Sequence, residues 1–169
     1  GRIARYAWGN DYHRILRRRM RALTERLEAH VGPELQVRMV VDTARILDRA
    51  TAARAGVGWT GKNSMLLAPR HGSWLMLGEV LLNVDLPPDL PLTHNCGRCT
   101  RCLIDCPTQA IVEPYRVDAN RCLSYLTIEH HGSIPRQFRA PLGNRVFGCD
   151  VCQEVCPYTA AARESRDAD

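Results

Sequence analysis

Residues 96–107 read Cys-Gly-Arg-Cys-Thr-Arg-Cys-Leu-Ile-Asp-Cys-Pro, and residues 149–157 read Cys-Asp-Val-Cys-Gln-Glu-Val-Cys-Pro. The first run has the spacing C-x2-C-x2-C-x3-C-P. The second run has the same C-x2-C-x3-C-P ending but lacks the first cysteine, and Cys122 is the only other cysteine in the chain. All eight cysteines therefore lie in one part of the sequence.

This spacing is typical of bacterial ferredoxins that hold two [4Fe-4S] clusters. In that arrangement three closely spaced thiolates bind one cluster, and the fourth, ahead of a proline, binds the other cluster. Because each cluster takes four cysteines, the eight divide without remainder. We expect one cluster on Cys96, Cys99, Cys102 and Cys156, and the other on Cys106, Cys122, Cys149 and Cys152. Clusters that share crossed segments would lie close enough for electron transfer.

Two other uses of these cysteines compete with iron–sulfur clusters. Structural zinc sites use paired C-x2-C units, but C-x2-C-x2-C crowds three thiolates more tightly than a usual four-cysteine zinc site. A disulfide framework is typical of small secreted domains, and no export signal is recognisable here. The spacing therefore favours iron–sulfur clusters and a role in electron transfer.

Composition sets wider limits. The chain has 169 residues, of which 45% are hydrophobic, so it is long enough for one or two domains with hydrophobic cores. No apolar run approaches the length of a membrane span. The net charge of +5 permits a polyanionic partner such as RNA, although Lys62 is the only lysine. Clusters and free thiolates predict a reducing, cytoplasmic location.

The first long element predicted is an amphipathic helix from residue 11 to about residue 31. Its apolar side chains recur at three- and four-residue steps, at Leu16, Met20, Leu23 and Leu27. Asp11 is placed to cap its N-terminus, and Gly32-Pro33 ends it. Tyr12 and His13 fall at its start, in a stretch dense in aromatic and titratable residues.

A buried strand is predicted for residues 35–41, followed at once by Asp42-Thr43. A short helix with Ile46, Leu47 and Ala50 on one side would then close at Gly56. Asp42 therefore has two interpretations at this stage. It is either the N-cap of that helix or a reacting group at the end of a strand, where α/β folds bind ligands.

The stretch from Gly56 to Ser64 fits G-x4-G-K, but Asn63 stands where a phosphate-binding loop needs Ser or Thr. It also follows a helix rather than a strand, so nucleotide binding is not expected. Residues 64–68 and 73–82 are predicted as two strands of a hairpin joined by Pro69-Arg-His-Gly72. Residues 85–95 are proline-rich and predict a linker.

The complete pattern resembles epoxyqueuosine reductase, a cobalamin- and iron–sulfur-dependent family that acts in the maturation of queuosine in tRNA. The resemblance runs from Arg5 to Pro157 and rests on several motifs together with the cysteine spacing. These motifs are Asp42-Thr43-Ala, Gly58-Trp-Thr-Gly61-Lys62-Asn63, Gly72-Ser-Trp and Cys122-Leu-Ser124-Tyr-Leu-Thr-Ile-Glu129.

The resemblance implies an α+β fold in which a corrinoid-binding α/β domain precedes a ferredoxin-like module with two [4Fe-4S] clusters. We divide the chain into that first domain (1–84), the linker (85–95), the cluster module (96–160) and a polar tail (161–169). The resemblance also implies a missing N-terminal part and missing C-terminal helical repeats, so we expect a fragment of a longer protein.

Several residue roles follow from the same resemblance. Asp42 matches the proposed proton donor and lies beside the corrin. Further corrin contacts are expected at Gly61, Lys62, Asn63, Ser64 and Ser124. Tyr12 and His13 are expected to line the substrate pocket. The implied cofactors are cobalamin and the two clusters. The implied partners are tRNA carrying epoxyqueuosine and an external low-potential electron donor, and we expect a monomer with no membrane association.

Two other functions compete with this one. A plain electron-transfer ferredoxin would leave the residues ahead of the clusters unexplained, and they exceed a small domain. Another corrinoid reductase, such as a reductive dehalogenase, would share the layout but typically carries a twin-arginine signal.

Overall fold

The structure is a computed structural model that describes residues 1–162, so most of the predicted polar tail lies outside the described residues. The described chain mixes helices and short strands, which confirms the α+β class. The helices are α1 Tyr12–Val31, α2 Asp48–Arg54, α3 Arg101–Ile104, α4 Leu123–Ile128, α5 Arg136–Leu142, α6 Val151–Glu154 and α7 Pro157–Ala160. The strands are β1 Arg2–Ile3, β2 Val37–Val40, β3 Trp59–Thr60, β4 Leu66–Leu67, β5 Glu79–Leu82, β6 Ile111–Glu113, β7 Arg116–Val117 and β8 Arg145–Phe147.

Helix α1 confirms the first long prediction almost to the residue. The Asp11 carboxylate accepts a hydrogen bond from the His13 N–H, which satisfies one of the free donors at the helix N-terminus. Met20 and Thr24 are the buried residues of the helix, whereas Leu23 is half exposed. The apolar stripe is therefore rotated from the predicted one, and Leu23 was wrongly assigned to it.

Strand β2 pairs with β5 in an antiparallel two-stranded sheet, with Val40 opposite Glu79. Val40 and Val41 are buried in the core, and the chain leaves the core at the next residue, the exposed Asp42. Helix α2 begins only at Asp48, after a bent loop of residues 42–46, so the N-cap interpretation of Asp42 is wrong. Leu47 also differs from expectation, because its side chain is exposed.

The predicted hairpin between residues 64–68 and 73–82 is wrong. Strand β4 instead pairs antiparallel with the preceding strand β3, and β5 pairs antiparallel with β2. Residues 68–72 form a tight turn closed by a single bridge between Ala68 and Gly72. Gly72 has a positive φ of 60°, and a side chain there would collide with the Thr159 backbone at 2.5 Å. This turn therefore packs on α7.

The N-terminal half and the cysteine-rich half interlock. Strand β1 runs parallel to β8, and the Ala4 N–H donates to the Phe147 carbonyl at 2.8 Å. The predicted linker has no helix or strand, but it lies against its neighbours. Within it, Leu92 packs against the small core around Trp59 and Leu67.

No helix in the described part of the chain combines the length and apolar character that a membrane crossing requires.

Candidate iron–sulfur and catalytic site

Four cysteines from three separate segments line one cavity. They are Cys96 and Cys99 in the loop before α3, Cys102 within α3, and Cys156 at the start of α7. The cavity contains about 290 Å³ of atom-free space, part of it open to solvent. Burial raises the pKa of the Cys102 thiol to about 11, with further contributions from Cys96, Cys156 and Cys99.

The remaining four cysteines form a second group. Burial raises the pKa of the Cys152 thiol to about 12, and Cys149, Cys122 and Cys106 add to the effect, with a smaller contribution from Cys102 of the first set. Burial likewise raises the pKa of Cys149, which interacts with Cys122 and Cys106. Cys122 stands at the N-cap of α4, and the Cys106 sulfur accepts a hydrogen bond from the Ala110 N–H at 3.3 Å. The structure thus brings the cysteines together as two sets of four, and the ligand sets remain a proposal below.

The cavity inside the first set is compatible with a group larger than a single ion. In a four-thiolate zinc site all sulfurs lie about 2.3 Å from one metal. Among residues 1–162, no group of three or more cysteine, histidine or carboxylate side chains is placed to hold a single metal ion. The first set instead surrounds a cavity. A [4Fe-4S] cluster is bound in this way, with four cysteine thiolates at its corners.

The turn between β3 and β4 connects both cysteine sets. The Lys62 ammonium donates to the carbonyls of Gly97 at 2.7 Å and Cys99 at 2.9 Å. The buried Asn63 amide donates to the Cys152 carbonyl at 3.0 Å. Sequence reasoning had assigned these two residues to corrin contacts and missed this bracing of the cysteine loops. Only the spatial meeting of distant segments reveals it.

The other predicted corrin contacts have varied surroundings. Ser64 has a positive φ of 64°, and its hydroxyl donates to the Tyr115 carbonyl at 3.1 Å. Gly61 is buried, and a side chain there would lie 2.7 Å from Asn63 Oδ1, so the packing of the turn itself requires glycine. Ser124 lies partly exposed on α4. The corrin contacts of all these residues stay predictions.

A separate group of polar side chains surrounds Asp42. The Tyr12 hydroxyl donates to Asp42 Oδ2 at 2.9 Å. Asp42 itself has a positive φ of 55°, a conformation uncommon for a residue with a side chain but more accessible to aspartate than to most. Its side chain is 59% exposed, so the carboxylate is open to a ligand. Helix α1 and the loop after β2 thus bring together Asp42 and one of the two predicted substrate residues.

His13, the other predicted substrate residue, lies between two carboxylates. Its Nδ1 is 2.8 Å from Asp11 Oδ1, and its Nε2 is 3.5 Å from Asp42 Oδ2. The hydrogen bonds from His13 hold the pKa of Asp11 below its ordinary value. Nε2 is buried and makes no hydrogen bond within residues 1–162. The His13 ring also stacks on Tyr12 with centroids 4.0 Å apart, which fixes its orientation.

Comparison with known proteins matches two separate parts of the chain to family models. Residues 95–159 match the family model of the 4Fe-4S double cluster binding domain, and residues 1–43 match that of epoxyqueuosine reductase QueG, DUF1730. The chain is 52% identical to an epoxyqueuosine reductase of Xanthomonas campestris over 99% of its own length and 47% of that protein. It is 48% identical to the Escherichia coli epoxyqueuosine reductase over all of its length and 44% of that protein.

Solved structures give the same result. A crystal structure of epoxyqueuosine reductase with a tRNA-Tyr epoxyqueuosine-modified stem loop superposes with a TM-score of 0.93 at 40% identity, covering 99% of this chain and 44% of that one. A structure of epoxyqueuosine reductase from Bacillus subtilis, in which an aspartate-containing catalytic loop is swung out of the active site, gives a TM-score of 0.88 at 40% identity, covering 94% of this chain and 41% of that one. The chain spans about half the length of the relatives it matches.

Fold, cysteine arrangement and family models together define an iron–sulfur protein of the double-cluster class. Within that class, the near-complete match to named relatives is specific. The chain belongs to the epoxyqueuosine reductase family.

Proposed function

We propose that the protein to which this chain belongs reduces epoxyqueuosine to queuosine in tRNA. Relatives about half identical over almost the whole chain carry that name, and one similar enzyme was solved with an epoxyqueuosine-modified tRNA stem loop. The single observation in this chain that best supports the proposal is the open Asp42 carboxylate, held by Tyr12 and facing His13. A cluster protein that only carried electrons would not need this polar group.

The reaction requires two electrons and two protons, and the epoxide oxygen leaves as water. We propose that electrons enter through two [4Fe-4S] clusters, one bound by the Cys96 set and one by the Cys106 set. The last cysteine of the first run belongs to the second set, and the last cysteine of the chain belongs to the first. With these ligand sets the two clusters would lie next to each other, as stepwise electron transfer requires.

Asp42 is the proposed proton donor to the oxygen that leaves. Because the Tyr12 hydroxyl donates to Oδ2, the acidic proton of Asp42 is best placed on the free oxygen, Oδ1. Proton transfer from a positioned side chain to a developing alkoxide lowers the barrier to breaking the C–O bond. His13 Nε2, 3.5 Å from Oδ2 and without another hydrogen bond among the described residues, is placed to replace the lost proton.

Cobalamin remains part of the proposal through family membership. When bound, it supplies a strongly reducing cobalt centre, chemistry that amino-acid side chains do not provide. Lys62 and Asn63 bind the cysteine loops through their side chains, so they do not fit a direct polar contact with the corrin well. The exposed Asp42 and the partly exposed Ser124 fit such a ligand better. The steps derived above therefore concern only the proton chemistry of this chain.

The proposal is tested with the full-length protein loaded anaerobically with iron, sulfide and cobalamin. Epoxyqueuosine-tRNA is incubated with a chemical reductant, and the modified nucleosides are separated and identified by mass. We expect conversion to queuosine by the wild type and none by Asp42→Asn, whose iron and cobalt contents stay unchanged. The amide suits this test because asparagine also tolerates a positive φ. Conversion at the wild-type rate would remove Asp42 as the acid, and no conversion by the loaded wild type would reject the function.

A further inference from the structure

We propose that Lys62 sets the reduction potential of one cluster only, the cluster of Cys96, Cys99, Cys102 and Cys156. This inference rests on the proposed function for the presence of that cluster, but it assigns a role that the reaction does not require. The Lys62 charge would act on the cluster, and Lys62 would not touch the substrate.

The first observation is the location of the ammonium group. Lys62 lines the same cavity as the four cysteines of the first set. Its Nζ donates to two carbonyls of the loop that carries Cys96 and Cys99, at 2.7 Å and 2.9 Å. The side chain is partly buried, so its charge is less screened by water than that of a surface lysine.

The second observation is how firmly the turn around Lys62 is held. The Gly61 N–H donates to the Met65 carbonyl at 2.8 Å, and the Tyr115 N–H donates to the Lys62 carbonyl at 2.9 Å. Next to it, the Asn63 amide is buried on the Cys152 carbonyl. The backbone of the turn is therefore fixed, and the two carbonyl partners of Nζ fix the ammonium group at its end. A flexible lysine on the surface would not hold its charge at one place.

The physical consequence follows from charge. A cubane bound by four thiolates is a net anion, and reduction adds one more negative charge. A fixed ammonium nearby stabilises the reduced form more than the oxidised form, so it raises the reduction potential. The positive charge that acts on the second set comes from a different residue, Arg145, which interacts with Cys149, and the Asn63 amide that reaches Cys152 is neutral.

Arg101 is the other basic residue on the same cavity, but it is exposed. Water screens an exposed charge strongly, so its effect on the potential should be smaller. Lys62 is therefore the residue expected to shift the potential of the first cluster, separately from any effect of Arg145 on the second.

The test is a redox titration of the loaded full-length protein, in which electron paramagnetic resonance monitors the reduced clusters and gives their midpoint potentials. Four variants are compared with the wild type. Lys62→Met removes charge and hydrogen bonds, Lys62→Gln keeps a hydrogen-bond donor without charge, and Lys62→Arg keeps the charge. Arg38→Met, on the exposed face of β2, removes one positive charge from a residue that does not line the cavity of the first set. Iron content is measured for each.

We expect one of the two midpoint potentials to become more negative in Lys62→Gln and Lys62→Met. Lys62→Arg should keep that potential near the wild-type value, and Arg38→Met should leave both midpoint potentials unchanged. If Lys62→Met loses a cluster, the comparison of the Gln and Arg variants still separates charge from bracing. Unchanged potentials in a fully loaded Lys62→Gln would overturn the inference and leave Lys62 as a brace only. A wild type without two clusters would instead overturn the proposed function, and this inference with it.

Discussion

The Tyr12 hydroxyl and the Asp42 carboxylate are joined by a hydrogen bond of 2.9 Å that connects helix α1 to the loop after strand β2. Burial and this hydrogen bond raise the pKa of Tyr12 well above its ordinary value of 10.0, so the phenol stays protonated and remains the donor. The bond restrains a carboxylate that is otherwise exposed and held at a positive φ.

Removing the Tyr12 hydroxyl should therefore slow turnover without affecting the clusters. For Tyr12→Phe we expect a rate loss of up to about tenfold, since one hydrogen bond to a protonated carboxyl group contributes about 0.5–1.5 kcal/mol. The measurement is single-turnover conversion of epoxyqueuosine-tRNA at matched iron content. Tyr115→Phe is the control, because the hydrogen bonds seen for Tyr115 are made by its backbone. Equal rates for the wild type and Tyr12→Phe would contradict this role.

Thr159 should be important for stability. Its buried hydroxyl lies 3.2 Å from the Ser73 N–H and 3.0 Å from the Ser73 hydroxyl, which is also buried. Thr159→Val preserves the shape but leaves both Ser73 groups without this partner. We expect the free energy of unfolding to fall by about 1–3 kcal/mol, measured by urea denaturation.

The exposed Thr93→Val provides the matched control and should change the free energy of unfolding by less than about 0.5 kcal/mol. An equal loss in both variants would show that Ser73 and Thr159 do not hold the turn on α7.

The Asp48–Glu79 pair predicts a pH dependence of stability. Burial, then the hydrogen bond and repulsion from Asp48, raise the pKa of Glu79 from 4.5 to about 7. Because the folded state favours the protonated form, this contribution is fully present below pH 4.5 and is lost as the pH rises toward 7. Glu79→Gln should remove that part of the decline. Stability curves of the two proteins that stay parallel from pH 4.5 to 7 would refute the prediction.

Local signals in the sequence were reliable where neighbours along the chain decide the structure. The spacing of apolar residues and the capping Asp11 predicted α1, and Gly32 follows its last residue. The strand ahead of Asp42 was also predicted, although its hydrogen-bonded part is only Val37–Val40. In α1 the deciding interactions lie within a few residues of one another. Strand β2 was predicted from its own run of apolar residues, although its partner β5 is distant in sequence.

Partners far apart in sequence were less predictable. The hairpin predicted after Ser64 failed because β5 finds its partner in β2, and Gly72-Ser73 is held by Thr159 instead. The bracing by Lys62 and Asn63 was missed for the same reason, since each side chain meets a carbonyl from a distant cysteine loop. A glycine-rich turn indicates close approach of the backbone, but not the group that approaches.

Every step of the proposed electron delivery depends on two clusters with crossed ligands, and the iron content of paired cysteine variants tests this directly. We expect about eight irons per chain in the wild type, as two cubanes require. Changing Cys106 and Cys122 to serine together should leave about four irons, because both bind the same cluster. Changing Cys106 and Cys156 together should remove nearly all iron, because each cluster loses one ligand. Equal iron in the two double variants, or zinc in place of iron in the wild type, would contradict the crossed arrangement.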